Sequence, residues 1–183
     1  MSYDYRNDPL LGPGLAYWLH KRGSRAVPRK ADIDPIELPP KLLPNMQIIE
    51  VVDGGARFRY RLVGTALVDA YGKDFTGKHP DELFPDDRLR FIQSIYRRVH
   101  DTKQPLFTHN KYHTPKNIDV YALRIYLPLS DNDSEVTHIM AVLRFESGGP
   151  LNEGMWGEGA QMDPEVHYIE TIAVDSAVFE AAD

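Results

Sequence analysis

Apolar residues recur along this chain with two periods, and the switches between them mark out the elements. Residues 46–52 and 57–63 read as strands joined by Asp53-Gly54-Gly55, a strong hairpin signal. In the second strand Phe58, Tyr60 and Leu62 alternate with Arg57, Arg59 and Arg61, so one face is apolar and the other basic. Gly64 ends that strand, and Thr65 can cap a short helix from Ala66 to Tyr71 that Gly72 closes. Asp74 to Gly77 is a turn, and Pro80 to Leu83 a further helical turn. The period then lengthens. Leu89, Ile92, Tyr96 and Val99, with Ile95 beside them, form the buried stripe of one long helix over 86–103. Asp86 and Asp87 suit its positive end, and Pro105 stops it.

Alternation returns in three more strands, 106–112, 120–129 and 136–145. Tyr121, Leu123, Ile125, Leu127 and Leu129 share one face, and Ala122, Arg124 and Tyr126 the other. Ile139, Ala141, Leu143 and Phe145 likewise oppose Met140, Val142 and Arg144. Outside this block the pattern is sparser. Residues 1–12 read as a loose lead-in. Leu15, Trp18 and Leu19 lie at helical spacing between Pro13-Gly14 and Gly23, a short helix whose stripe must dock on something. Asp34-Pro35-Ile36-Glu37 predicts a capped helix start with Glu37 reaching back to Asp34. Thr114 to Asn117 is a turn, 148–164 a glycine-containing linker, and 167–174 a strand or part of a docked arm. The chain thus divides into a lead-in and capping helix (1–24), one domain (25–147), and a linker with an acidic arm (148–183).

Charge sharpens this division. The net charge is −6, yet the last 34 residues hold eight acids and no Lys or Arg, so residues 1–149 carry +2. A solvated tail explains this; so does an arm docked on a basic face of its own domain or of a partner. Nucleic acid is not an expected partner for such a chain. There is no run of ~18 apolar residues and no secretory layout at the start, so no membrane span is expected and the cytoplasm is the expected location. Cysteine is absent, which rules out disulfides, thiolate nucleophiles and any thiol-linked chromophore.

The segments Gly72, Thr76-Gly77-Lys78 and Phe84-Pro85-Asp86-Asp87-Arg88 resemble the stretch where PAS sensor domains turn into their long helix. Ala31 to Pro35, Leu42-Leu43-Pro44, Arg57 to Thr65 and Phe75-Thr76-Gly77 are similar to one bacterial, stand-alone PAS branch, long catalogued as a domain of unknown function. The resemblance covers about 25 to 145. It implies an α+β fold: a five-stranded antiparallel sheet, with short helices and one long helix over one face and a pocket between them. It also implies a sensory or signal-relay module that binds a small ligand, a protein partner or both, commonly as a homodimer. The outer sheet face in such domains dimerises or seats a flanking helix.

Candidate site residues follow from that architecture. Tyr60, Thr65, Tyr71, Phe75, Phe84, Phe91, Ile92, His109, Tyr121, Leu123 and Leu143 are the expected pocket lining, although each aromatic alone reads equally well as core filling. Leu15, Trp18, Leu19, Arg59, Arg61, Arg124 and Arg144 are the expected interface residues. Arg57, Arg59, Arg61, Arg124 and Arg144 could share the outer face, either to bind an anion or simply as solvated strand positions paired with Glu50 or Glu146. Haem is not expected, because His100 flanks the long-helix stripe without being central to it and His79 precedes a turn; nor is flavin, whose thiol adduct the missing cysteine rules out, although its non-covalent form stays open. No metal is expected, because His109 and His113 on a strand do not converge and His138 and His167 are isolated. A catalytic alternative would pair Asp69 or Asp119 with His109 or Tyr121 as acid and base. No nucleophile elbow, phosphate loop or dinucleotide fingerprint accompanies it. A purely protein-binding adaptor without ligand is the other alternative.

Overall fold

The chain opens on a helix, α1 (Leu11–Arg22), in a computed structural model that describes residues 3–114, 118–147 and 161–174. The turn expected at 115–117, the glycine-rich stretch 148–160 and the acidic end 175–183 lie outside the described residues. α1 begins earlier than the sequence pattern predicts. Asp8 accepts hydrogen bonds from the Leu10 and Leu11 N–H groups, both at 2.8 Å, and so holds the first turn. Pro13 sits within that turn, where a missing N–H costs no helical bond.

Then come β1 (Met46–Val52), β2 (Arg57–Val63), α2 (Thr65–Tyr71), α3 (Asp86–Thr102), β3 (Leu106–His113), β4 (Asp119–Leu129), β5 (His138–Ser147) and β6 (Gln161–Thr171). The sheet runs β2-β1-β5-β4-β3-β6, and every neighbouring pair is antiparallel. The expected five strands become six. β6 pairs along β3 from Leu106↔Thr171 to His113↔Gln161 and covers an edge that would otherwise present unpaired backbone groups.

Both faces of the sheet are buried. α2 and α3 cover one of them, where Ile49, Phe58, Tyr60, Leu106, Tyr126, Ile139 and Leu143 meet Leu67, Ile95, Tyr96 and Val99. α1 and the residues before it cover the other, where Leu11, Leu15 and Trp18 meet Leu123, Ile125, Leu127, Met140 and Val142. Burying each of those three α1 side chains contributes about 1.5–3 kcal/mol. The Trp18 indole N–H donates to the Pro128 carbonyl at 2.7 Å. A Cβ on Gly14 would sit 3.0 Å from a Val142 methyl, so glycine lets the helix lie close on the sheet.

Several local expectations are corrected. A register shift between Ile48 and Ile49 opposes an extra β2 residue, so Leu62 turns outward, 40% exposed, while Val63 packs inward. Gly64, not Thr65, is the residue before α2, and Thr65 is exposed with no capping bond. Gly72 does close α2 in the left-handed region, at φ 70°. Asp34 accepts from the Ile36 N–H to make a single turn, and Glu37 pairs with Lys21 instead of capping. In α3 the buried stripe is Arg88, Ile95, Tyr96 and Val99; Leu89 and Ile92 are only half-buried.

Candidate functional site

The interior between the sheet and the α2/α3 layer is lined with polar rings and cations. Three strands supply most of it. β3 turns Leu106, Thr108, Asn110 and Tyr112 inward, β4 turns Ala122, Arg124 and Tyr126 inward, and β2 adds Phe58 and Tyr60. α3 contributes Arg88 and Tyr96, and Tyr71 comes from the end of α2. Thr108 faces Arg124 directly across the β3–β4 ladder, as Asn110 faces Ala122.

The contacts are specific. The Tyr60 and Tyr96 hydroxyls lie 3.1 Å apart, both buried. Phe58 and Tyr126 pack edge-on to Tyr96, with centroids 5.1 and 5.8 Å away. Arg124 is 5% exposed and donates from Nη1 to Asn110 Oδ1 at 3.2 Å. Its Cζ lies 5.5 Å from the Tyr112 ring centre. Arg88 stands 5.4 Å from that same ring, 4.7 Å from Phe84 and 5.9 Å from Tyr71. Two guanidinium groups therefore share one phenol ring beneath α3, and favourable cation–π geometry carries part of the cost of burying them. Burial raises the Tyr60, Tyr96 and Tyr126 hydroxyls above the ordinary phenol range, so all three stay neutral.

Of the expected lining, Tyr60, Tyr71, Phe75, Phe84, Phe91, Ile92 and Leu143 do gather on this side. His109, Tyr121 and Leu123 do not. They lie on the α1 face, where the His109 ring sits 5.6 Å from both Tyr3 and Tyr121. Thr65 is at the surface. The expected interface set also divides. Leu15 and Trp18 are buried in their own fold, with Leu19 half-buried beside them. Arg59 bonds Glu50 at 2.7 Å, and Arg61 stands 3.9 Å from the same carboxylate. Arg144 pairs with Asp8 and with Glu146. Arg124 is the clear reversal: placed outward by the sequence pattern, it points into the core. Both faces being buried, apolar alternation alone does not say which face lies under the long helix.

Acid and base candidates do not meet. Asp119 pairs with Lys111 and His113 at the sheet end, away from His109. Asp69 lies at a shallow cleft of about 290 Å³ with Asn45, Ala66, Ala70, Arg144 and Phe145. Among the described residues no group of three or more His, Asp or Glu is placed to hold a metal ion. Nor is any helix among them long and apolar enough to cross a membrane.

Sequence reasoning missed Arg88, Thr108, Asn110, Tyr112 and the lead-in. The parity of Tyr126 and Arg124 with Thr108, Asn110 and Tyr112 was the available signal. In the lead-in, Tyr3 stacks on Phe107 at 5.7 Å and donates to Asp8 at 2.7 Å, while Tyr5 packs 4.9 Å from Phe107 and donates to Glu170. Residues 3–22 thus form a strap across the outer face of the sheet.

An antiparallel sheet with helices between its second and third strands, packed over a side-chain-lined interior, defines the PAS class of sensory fold. A family model described as a PAS domain, PAS_5, matches residues 13–144, and the chain belongs to that family. The match takes in α1 from Pro13 and ends within β5. No curated protein and no solved structure matches it.

Proposed function

We propose that this PAS domain is a sensory or signal-relay module that takes a small molecule between the sheet and the α2/α3 layer. One observation carries the reading. Where the interior of a fold of this size needs only apolar packing, this one sets three neutral phenols, a threonine hydroxyl and a guanidinium around a single region. Small-molecule sites have that make-up: apolar walls with a few polar groups that fix orientation. A purely structural core would rarely retain so many buried polar groups.

The lining favours binding over catalysis. Phenols held above their ordinary range and an arginine exchange no protons near neutrality, so the region lacks a group matched to acid–base work. Ligand occupancy would be felt first by α3, which supplies Arg88 and Tyr96, and then by a protein partner or a second copy of the chain. The strap covers the outer sheet face, so any dimer would use α3, the β2 edge or the strap itself.

Native mass spectrometry of the purified chain, with an absorbance spectrum, tests the reading. A co-purified molecule, or a small-molecule library hit whose stabilisation is lost in Tyr60→Ala, is the expected result. A bare chain mass with no library hit would leave only the protein-binding role.

A further inference from the structure

We infer that Arg124 is the anchor of an anion site, and that the small molecule this domain takes is an organic acid whose carboxylate sits on its guanidinium. The inference rests on the ligand-binding reading above and names the ligand's chemical class.

The argument begins with charge. Arginine remains protonated at all accessible pH and carries five N–H donors in a planar fork. Arg124 sits on a central strand, 5% exposed. Its hydrogen-bond acceptor at 3.2 Å is the neutral Asn110 amide oxygen. Beyond that, it hydrogen-bonds the neutral Tyr112 hydroxyl, and the phenols of Tyr112, Tyr126 and Tyr71 surround it. No carboxylate among the described residues pairs with it. The chain does not lack them, having 27 acidic residues. It spends them on arginines nearer the surface: Arg29 meets Asp133, Arg57 meets Asp81, Arg59 meets Glu50, and Arg144 meets Asp8 and Glu146. The most deeply buried of these cations is the one left with neutral partners. A buried charge without a counter-charge is destabilising, and an apolar side chain of similar volume would serve packing better.

A second observation points to the same spot. Thr108, directly opposite Arg124 on β3, is fully buried, and its hydroxyl makes no hydrogen bond of ordinary geometry, with the neutral Tyr126 hydroxyl as a loose polar neighbour. Hydroxyl and guanidinium together present donors toward an interior lined by aromatic rings. That combination fits a carboxylate, which accepts two parallel N–H bonds from an arginine fork and a third from a hydroxyl. The ring walls fit an apolar or aromatic remainder, with the Tyr60–Tyr96 hydroxyl pair available to a polar group at its far end.

Benzoate and its neutral isostere benzamide test this on the full chain, at constant ionic strength. The readouts are the melting temperature and the Arg Nε–H resonances of ¹⁵N-arginine-labelled protein. Benzoate should raise the melting temperature and shift one buried Nε–H signal, the one missing from Arg124→Met; benzamide should do neither. Arg124→Met should weaken the benzoate response at least tenfold, and Thr108→Val severalfold. If Arg124→Met does not fold, Thr108→Val and the wild-type spectrum decide. Equal responses to acid and amide, or a neutral co-purified molecule, would overturn the anion inference while leaving the ligand reading intact. No response to either probe, with a bare chain mass by native mass spectrometry, would overturn both.

Discussion

Single residues carry the clearest pH signature of this molecule. Burial holds the imidazoles of His109 and His138 below their ordinary range. Unfolded histidine titrates near pH ~6.5, so the unfolded chain binds these protons more tightly. Stability therefore declines as the pH falls below that value and levels off below the folded values. Asp8 acts lower. Burial would raise it, but the Leu11 and Leu10 N–H groups, Tyr3 and Arg144 outweigh burial and depress it. Its contribution is present above the unfolded carboxylate range and is lost as the pH falls through its folded value. Urea midpoints taken from pH 8 to pH 5 should fall, and fall less in His109→Phe, which keeps a ring between Tyr3 and Tyr121. A midpoint that is flat over that interval would contradict the assignment.

At the scale of elements, α1 and β6 decide how the sheet is sealed. Trp18 fills the α1 interface, fully buried and hydrogen-bonded to Pro128. Trp18→Ala should cost about 3–5 kcal/mol, read as a lower urea midpoint. Exposing the apolar β4–β5 face should also promote association on a sizing column. A variant as stable and monodisperse as its parent would mean the helix does not seal that face.

The same elements show what was legible in the sequence. The hairpin, α3 and the last three core strands each had an unbroken period, and all formed within a few residues of where the pattern placed them. The N-terminal strap was opaque because Tyr3, Tyr5 and Asp8 act one by one, across contacts of up to 165 residues in separation, and leave no period. The site was half legible. Tyr60, Tyr71 and Leu143 lay on the right face, but Tyr121, Leu123 and Arg124 were exchanged between faces, since a sheet buried on both sides is apolar on both. Leu62 was misplaced because a bulge inverts parity within a single strand.

For the whole molecule, the two ends of the described chain meet. Tyr5 donates to Glu170 of β6, and an Arg22 guanidinium N–H donates to the Val174 carbonyl. Tension applied between the two ends would thus pass first through the strap and β6, which lie against each other at the margin of the fold. β6 is antiparallel to β3, and its last rung joins Thr171 to Leu106, so its bonds would break one after another from that end. In single-molecule pulling from the termini, a small low-force extension should come first, releasing β6 and residues 3–22. The remaining five strands with α2 and α3 should give way only at higher force. A partner that tugged on either end would therefore uncover the outer sheet face while leaving the interior beneath α2 and α3 whole, making the ends of the described chain a mechanical input to the fold.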